Sequence, residues 1–320
     1  MVSIRDVANK AKVSVATASR ALNGSGYCSE KNKKLIEKAA QELGYIPNQY
    51  GRTLKDGSSN VVGIIVSDTT NEYYWNVISL LEEKLNKLHL KLMIVFSSED
   101  PKKEEESFKT LISYKVSVIF FTPVSSANEK LISIALANGI KVIQVFRKIY
   151  DNIGAILNKD DVSTFIAGKY LKEHGYNKIL LLDVLYAYLR YEDVFPSRTK
   201  GLEMLQDSCE YQVIHLNSNN FDKNELMDSI NAYKPDSIIC ATNVIATTII
   251  DFIKEGKIDK NTAFITFDDN VWFKLFDITS IKQNSVLFVS TLLDAVKKGD
   301  FNETIYIHSK LMERKLTLFK

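Results

Sequence analysis

The sequence predicts an α/β chain: a short three-helix head, a linker, then two doubly wound parallel-sheet lobes. Three observations predict it. Residues 3–45 keep apolar side chains at helical spacing between capping signals. From residue 61 onward, apolar β-type runs without side alternation are separated by amphipathic stretches, the pattern of parallel sheets covered on both faces. Charge is also split. Residues 1–58 hold ten Lys and Arg against five Asp and Glu, whereas the whole chain of 320 residues carries a net charge of only +2.

In the head, Ser3 is placed to cap a first helix, with Asp6 at the capping-box position and Ile4, Val7, Ala8 and Ala11 on one face. Ser14 caps a second helix reaching about Leu22, with Ala18, Ala21 and Leu22 inward, and Asn23-Gly24-Ser25-Gly26 stops it. Ser29 opens a third helix whose apolar face is Leu35, Ile36, Ala39, Ala40 and Leu43, ended by Gly44. Pro47 then breaks the helix, and Asp56-Gly57-Ser58-Ser59-Asn60 forms a linker. Strands are expected at 61–66, 92–96, 118–122, 141–146, 179–183, 237–241 and 263–267. The halves 61–157 and 179–267 share a βαβα rhythm.

Several function classes lose support. Cys28, Cys209 and Cys240 form no CxxC pair, and His89, His174, His215 and His308 no metal spacing, so no metal and no cofactor is expected. No apolar run spans a bilayer, and the first twenty residues are too charged for a secretory signal, so a cytoplasmic location without membrane partners is expected. No GxGxxG, P-loop or GxSxG accompanies a strand and helix, so no catalytic residue is assigned and an enzyme is disfavoured.

The strongest motif is Val13-Ser14-Val15-Ala16-Thr17-Ala18-Ser19-Arg20-Ala21-Leu22-Asn23. Two helices joined by a short turn, the second opened by a capping serine, form a helix-turn-helix. The second helix can enter the major groove, where base edges carry a distinct donor and acceptor code. Its outer face is Val15, Ala16, Ser19 and Arg20. Arginine suits guanine O6 and N7, and small apolar groups suit a thymine methyl.

With Ile4-Arg5-Asp6-Val7-Ala8, that run, Leu43-Gly44-Tyr45-Ile46-Pro47-Asn48 and Arg52-Thr53-Leu54-Lys55, the first 60 residues resemble the lactose-repressor (LacI/GalR) family of transcription regulators. The resemblance continues more weakly through the rest of the chain. It implies that Val15, Ala16 and Arg20 read bases and that Ser14, Asn23 and Tyr45 contact phosphate or sugar. Thr17, Ser19 and Asn48 complete the expected DNA-facing set. It implies a hinge helix over 49–56, with Leu54 wedged between base steps in the minor groove and Lys55 near its negative potential. The partner is then double-stranded DNA with a near-palindromic operator, read by a homodimer. Gly51 stands where the family commonly has alanine. Glycine inside a helix costs about 1 kcal/mol, so Gly51→Ala is expected to tighten operator binding, measured as Kd at matched salt.

The body resembles the family's effector domain, which shares its fold with type I periplasmic sugar-binding proteins. Such domains bind ligands between lobes at the carboxyl ends of strands. The resemblance implies effector contacts at Asp68, Tyr73, Tyr74, Arg147, Asp160, Arg198, Phe221, Asn243, Asp268 and Gln283. Arg198 with Gly201 matches the family's Arg-x-x-Gly, and Phe267-Asp268-Asp269 its Phe-Asp-Asp turn. The departures are Glu72 for a proline, Phe146 for an aspartate, Val244 for an acid, Thr266 for a glycine, and a tyrosine-rich loop at Tyr186, Tyr188 and Tyr191.

The expected domains are a head over 1–46, a hinge and linker over 47–60, and an effector-binding domain over 61–320. Its N-lobe is expected at about 61–158 with 285–313, and its C-lobe at about 159–284 with 314–320. The expected function is a sequence-specific DNA-binding regulator, most simply a dimeric repressor, gated by a small molecule. A carbohydrate or sugar phosphate is the first choice of effector, with a purine or another metabolite behind it. A regulator without an effector, controlled by a partner protein, is the alternative; an enzyme or a free sugar-binding protein is more remote.

Overall fold

A computed structural model describes residues 2–23, 26–46, 59–184, 198–217 and 220–318. The chain divides into two compact units, 1–59 and 60–320. The hinge positions Asn48, Gly51, Leu54 and Lys55, and the tyrosines at 186, 188 and 191, lie outside the described residues.

Among the described residues, the first unit has three helices: α1 (Ile4–Lys10), α2 (Val15–Asn23) and α3 (Glu30–Leu43). Local chemistry sets each start. Ser3 and Asp6 form a reciprocal capping box on α1. The Ser14 hydroxyl accepts the Thr17 amide at 3.1 Å, and the Ser29 hydroxyl accepts the Asn32 amide. Gly44 ends α3 in the left-handed region at φ 64°. Val7, Ala8, Ala18, Ala21, Ile36, Ala39 and Ala40 are buried together, their small side chains letting three short helices approach closely. Leu35, expected inward, is 46% exposed. It sits one position before Ile36, whose side chain takes the inward place on that turn.

The second unit holds two six-stranded sheets. The N-lobe contains β1 (Val61–Val66), α4 (Glu72–Lys87), β2 (Lys91–Phe96), α5 (Pro101–Ser113), β3 (Val118–Phe121), α6 (Glu129–Ala137), β4 (Lys141–Val145) and β5 (Ala155–Asn158). The C-lobe contains α7 (Asp160–Glu173), β6 (Lys178–Val184), α8 (Arg198–Glu203), β7 (Glu210–Leu216), α9 (Lys223–Tyr233), β8 (Ser237–Cys240), α10 (Asn243–Lys254), β9 (Ala263–Phe267), α11 (Val271–Leu275) and β10 (Ser280–Lys282). The chain returns to the N-lobe for α12 (Ser285–Lys297) and β11 (Thr304–Ile307), then crosses again for β12 (Lys310–Met312). The sheet orders are β11-β5-β4-β3-β1-β2 and β12-β10-β9-β8-β6-β7. All pairs are parallel except β12, which runs antiparallel to β10.

Residues 310–313, expected with the N-lobe, include this strand. Lys310–Met312 hydrogen-bonds to β10, so the last crossover falls at His308-Ser309. Each sheet is covered on both faces. In the N-lobe, α4 and α12 pack on one side and α5 and α6 on the other. In the C-lobe, α9 and α10 face α7 and α8 across the sheet. Double coverage explains why β1, β3, β8 and β9 are mostly apolar and buried almost throughout.

Burial also sets one pH response. The Glu104 carboxyl is fully buried, accepting the Val124 amide at 2.9 Å and the Asn128 side-chain amide at 2.6 Å. Desolvation raises its pKa from 4.5 to about 7. The folded state thus holds this proton more tightly than the unfolded chain. Its contribution is fully present below pH 4.5 and is lost as pH rises through about 7. Glu104→Gln is expected to flatten the fall in Tm between pH 5 and about 7.5, checked by thermal melts across that range.

Candidate functional site

The head presents one candidate surface. Ser14, just before α2, and Val15, Ala16 and Arg20 on it are exposed, while Thr17 and Ser19 are half-buried beside them. The Ser14 and Thr17 hydroxyls lie 2.8 Å apart, and the Asn23 side-chain amide donates to the Ser19 hydroxyl at 3.1 Å. These bonds hold the polar side chains to the helix and leave Val15, Ala16 and Arg20 as the projecting groups. Tyr45 is half-buried against the head core. Tyr27 was not picked out from the sequence, yet it is 90% exposed. Its neighbour Gly26 lies close to Arg20, since a Cβ added there would sit 3.8 Å from the Arg20 Cδ. An exposed aromatic one residue after a glycine that approaches Arg20 is visible only once the turn before α3 has its shape.

The body presents the second, a cavity of about 420 Å³ between the lobes. The N-lobe side is Glu72, Tyr73 and Asn76 on α4, and the C-lobe side runs from Asp268 to Trp272 and Lys274. Lys282, Gln283 and Ser285 at the crossover close it. The Asn76 amide donates to the Ser285 hydroxyl at 3.1 Å. Tyr73, nearly buried, donates from its hydroxyl to Asn158 Oδ1 at 3.1 Å.

A polar chain backs this cavity. The Ser309 hydroxyl donates to Gln283 Oε1 at 2.5 Å, and Gln283 Nε2 donates to Asp160 Oδ1 at 3.3 Å. Asp160 Oδ2 meets Arg198 Nη2 at 2.6 Å, and Arg198 Nη1 reaches Asp183 Oδ1 at 3.1 Å. The guanidinium also lies 4.7 Å from the Phe267 ring centre. Gly201 makes the arrangement possible. A Cβ there would fall 2.2 Å from the Asp161 carbonyl oxygen and 2.7 Å from Thr164 Cβ. Only glycine lets α8 lie on the first turn of α7 and carry Arg198 to Asp160.

Asp268 stands at φ 65° at the end of β9, half-buried, with its carboxyl pushed up to about 7. Burial is the main cause, opposed by Arg198 and reinforced by Asp160 and Glu72. Asp269, by contrast, is folded back onto Arg314 at 2.7 Å and accepts the Ser280 hydroxyl, which hold its carboxyl below the ordinary value against the burial that raises it.

Of the ten expected effector residues, Tyr73, Asp268 and Gln283 line this cavity, and Asp160 and Arg198 lie directly behind it. The others sit elsewhere. Arg147 is buried in the N-lobe, held bidentately by Glu99 at 2.6 and 2.9 Å, with further bonds to Ser67 and the Pro123 carbonyl. It clasps the ends of β1, β2 and β3 and does not line the cavity. The Asp68 carboxylate accepts from the amide and hydroxyl of Thr70, closing a turn before α4. Tyr74 stacks on Phe146. Phe221 packs against the C-lobe core, and Asn243 is the first residue of α10. Glu72, Asn76, Trp272, Lys274 and Lys282 were not anticipated, because they meet only where the lobes cross.

Residues 3–48 match the family described as LacI: Bacterial regulatory proteins, lacI family. Similarity extends along the whole chain. The HTH-type transcriptional regulator RegA of Clostridium saccharobutylicum is 23% identical over 331 aligned positions, covering 99% of each chain. The head carries the LacI-family signature. The sucrose operon repressor of Lactococcus lactis subsp. lactis is 36% identical over 121 residues, covering 38% of each chain. The fold matches the crystal structure of the lac repressor dimer bound to operator and the anti-inducer ONPF, at a TM-score of 0.81 and 18% identity over 99% of each chain. With that head and full-length similarity to transcription regulators, the chain is a DNA-binding transcription regulator. Among the described residues, no helix is long and apolar enough to cross a membrane.

Proposed function

We propose that this LacI-family regulator is a cytoplasmic homodimeric repressor whose operator affinity is set by a carbohydrate held between the lobes. The observation that carries the reading is the cavity lined from both lobes and from the crossover between them. A ligand bridging such walls favours one lobe arrangement over another, and operator affinity changes through that difference. The cavity is within the range of small-molecule sites. Its Asp, Gln, Asn and Lys side chains, with Tyr73 and the 61% exposed Trp272, suit a hydroxyl-rich ring. Asp160 and Arg198 act as positioning residues, fixing Gln283 from behind. Val15, Ala16 and Arg20 read bases, with Ser14, Thr17, Ser19, Asn23, Tyr45 and Asn48 around them and Leu54 and Lys55 in the minor groove. Apolar side chains left open on α11 and at the start of α12, among them Leu275 at 70% and Val286 at 72% exposure, support self-association. The sucrose operon repressor among the relatives supports a sugar.

The test is operator binding by fluorescence anisotropy, titrated with mono- and disaccharides. One sugar is expected to move Kd by roughly 5–150-fold, the usual range of coupling between sites. A sugar that binds by calorimetry yet leaves Kd constant contradicts gating.

A further inference from the structure

The walls of the cavity between the lobes carry an imbalance of charge. On the N-lobe side, Glu72 stands exposed in the first turn of α4. On the C-lobe side, Asp268 follows β9, and its carboxylate accepts no hydrogen bond from the described residues. The two acids are close enough for Glu72 to help push the Asp268 pKa up. Like charges on opposite walls resist any movement that brings the lobes together.

Most cations nearby are committed. Arg198 is bonded to Asp160 and Asp183, and Arg314 to Asp269. Lys274 lies 3.8 Å from Asp269 Oδ2. Lys282 differs from all of these. It lines the same cavity from the end of β10 and is exposed, and its side chain has no ion-pair or hydrogen-bond partner among the described residues. Glu72 has none there either. The dipole of α4 favours an acid at Glu72, but it does nothing for Lys282. A lysine ammonium is a compact charge on a flexible four-carbon stem, so Lys282 can swing into the space that it lines.

We propose that Lys282 is a built-in counter-ion for the cleft: as the lobes approach, its ammonium settles between Glu72 and Asp268 and holds the two walls together. The chain's own charges then populate a closed arrangement without any ligand. This goes beyond gating by a carbohydrate, because it concerns the resting balance that a ligand acts on. Exposed ion pairs are weak, which suits a balance rather than a lock. A pair of this kind shifts the ratio of the two lobe arrangements by roughly two- to fivefold.

The experiment reads lobe closure with no sugar present. Trp272 lines the cavity at 61% exposure, whereas Trp75, the chain's other tryptophan, does not line it. In a full-length Trp75→Phe parent at pH 8, where Asp268 with its pKa of about 7 is ionised, acrylamide quenching of Trp272 fluorescence reports how open the cavity is. Lys282→Gln is expected to raise the Stern–Volmer constant by roughly 1.5–2-fold. Adding Glu72→Gln should reverse most of that rise, because one of the two repelling acids is then gone. Raising NaCl from about 50 to about 500 mM should increase quenching in the parent, where it screens an attraction, and decrease it in Lys282→Gln, where it screens a repulsion. Lys274→Gln should leave quenching unchanged, since that side chain already faces Asp269. Lys282, Glu72 and Lys274 are all exposed, so the Tm of each variant should stay within a few degrees of the parent's. Unchanged quenching in Lys282→Gln, an equal rise in Lys274→Gln, a rise that survives Glu72→Gln, or a salt response of the same sign in both proteins overturns the inference. Each of these leaves the carbohydrate reading standing, which fails separately when no sugar moves the operator Kd.

Discussion

Arg198→Ala is expected to be the most damaging single substitution in the two-lobed unit. The side chain neutralises two buried carboxylates at once, Asp160 at 2.6 Å and Asp183 at 3.1 Å. Removing one partner of a buried ion pair typically costs about 3–5 kcal/mol, because the charge left behind has lost both water and its counter-ion. For a domain of this size that is a drop in Tm of roughly 6–20 °C. Burial already raises the Asp160 pKa, with Arg198 the main opposing influence. Without the guanidinium it rises further. The variant's deficit should therefore shrink as pH falls toward the ordinary carboxylate range, since protonation then removes the uncompensated charge. Thermal melts at pH 5 and pH 8 check this. A melt at pH 8 that matches the unaltered protein would mean the pairs contribute little. Gly201→Ala should produce a similar loss by another route, since a Cβ cannot fit against the Asp161 carbonyl.

Arg20→Ala is expected to dominate on the DNA side while leaving the head folded. Arg20 is exposed and forms no part of the core of Val7, Ala18 and Ile36. A bidentate contact from arginine to guanine is worth about 1–3 kcal/mol of discrimination. A two-fold dimer makes it twice, so operator affinity should fall by roughly 2–6 kcal/mol, with relaxed preference at the contacted base pair in each half-site. Binding to unrelated duplex should change far less, because it rests on phosphate contacts. Anisotropy titrations against operator and scrambled duplex, with circular dichroism of the head as a folding control, separate the two terms. Parallel losses on both duplexes would assign Arg20 to phosphate.

The head was almost wholly legible in the sequence because its determinants are local. Ser3 with Asp6, Ser14 with Thr17, Ser29 with Asn32, and Gly44 act within one turn of where they stand. The parallel strands β1 and β9 were legible for a different reason, continuous burial. Strands β5, β10, β11 and β12 are only three or four residues long, and edge strand β7 carries exposed Glu210 and Gln212; none gives a strong pattern. The site was legible in part. Arg198-x-x-Gly201 could be seen, and Asp160 was picked out as an effector residue. Neither could be paired, nor Asp183 named, because these partners meet only after α8 lies on α7 beside β6. Arg147 shows the limit most clearly. Nothing local says that an arginine after β4 will be clasped by Glu99, which lies 48 residues earlier in the chain. Its charge looks available until the ends of β1, β2 and β3 are brought side by side.

Selection of binding sites from a random duplex library by the full-length protein tests the central claim most directly. The account predicts enrichment of one near-palindromic sequence whose two half-sites are related by a two-fold axis. Arg20→Ala should broaden the enriched set at one base pair in each half-site, and the winning duplex should outcompete scrambled DNA by about a thousandfold or more. A pool that stays random through successive rounds, retained only at low salt, would contradict it.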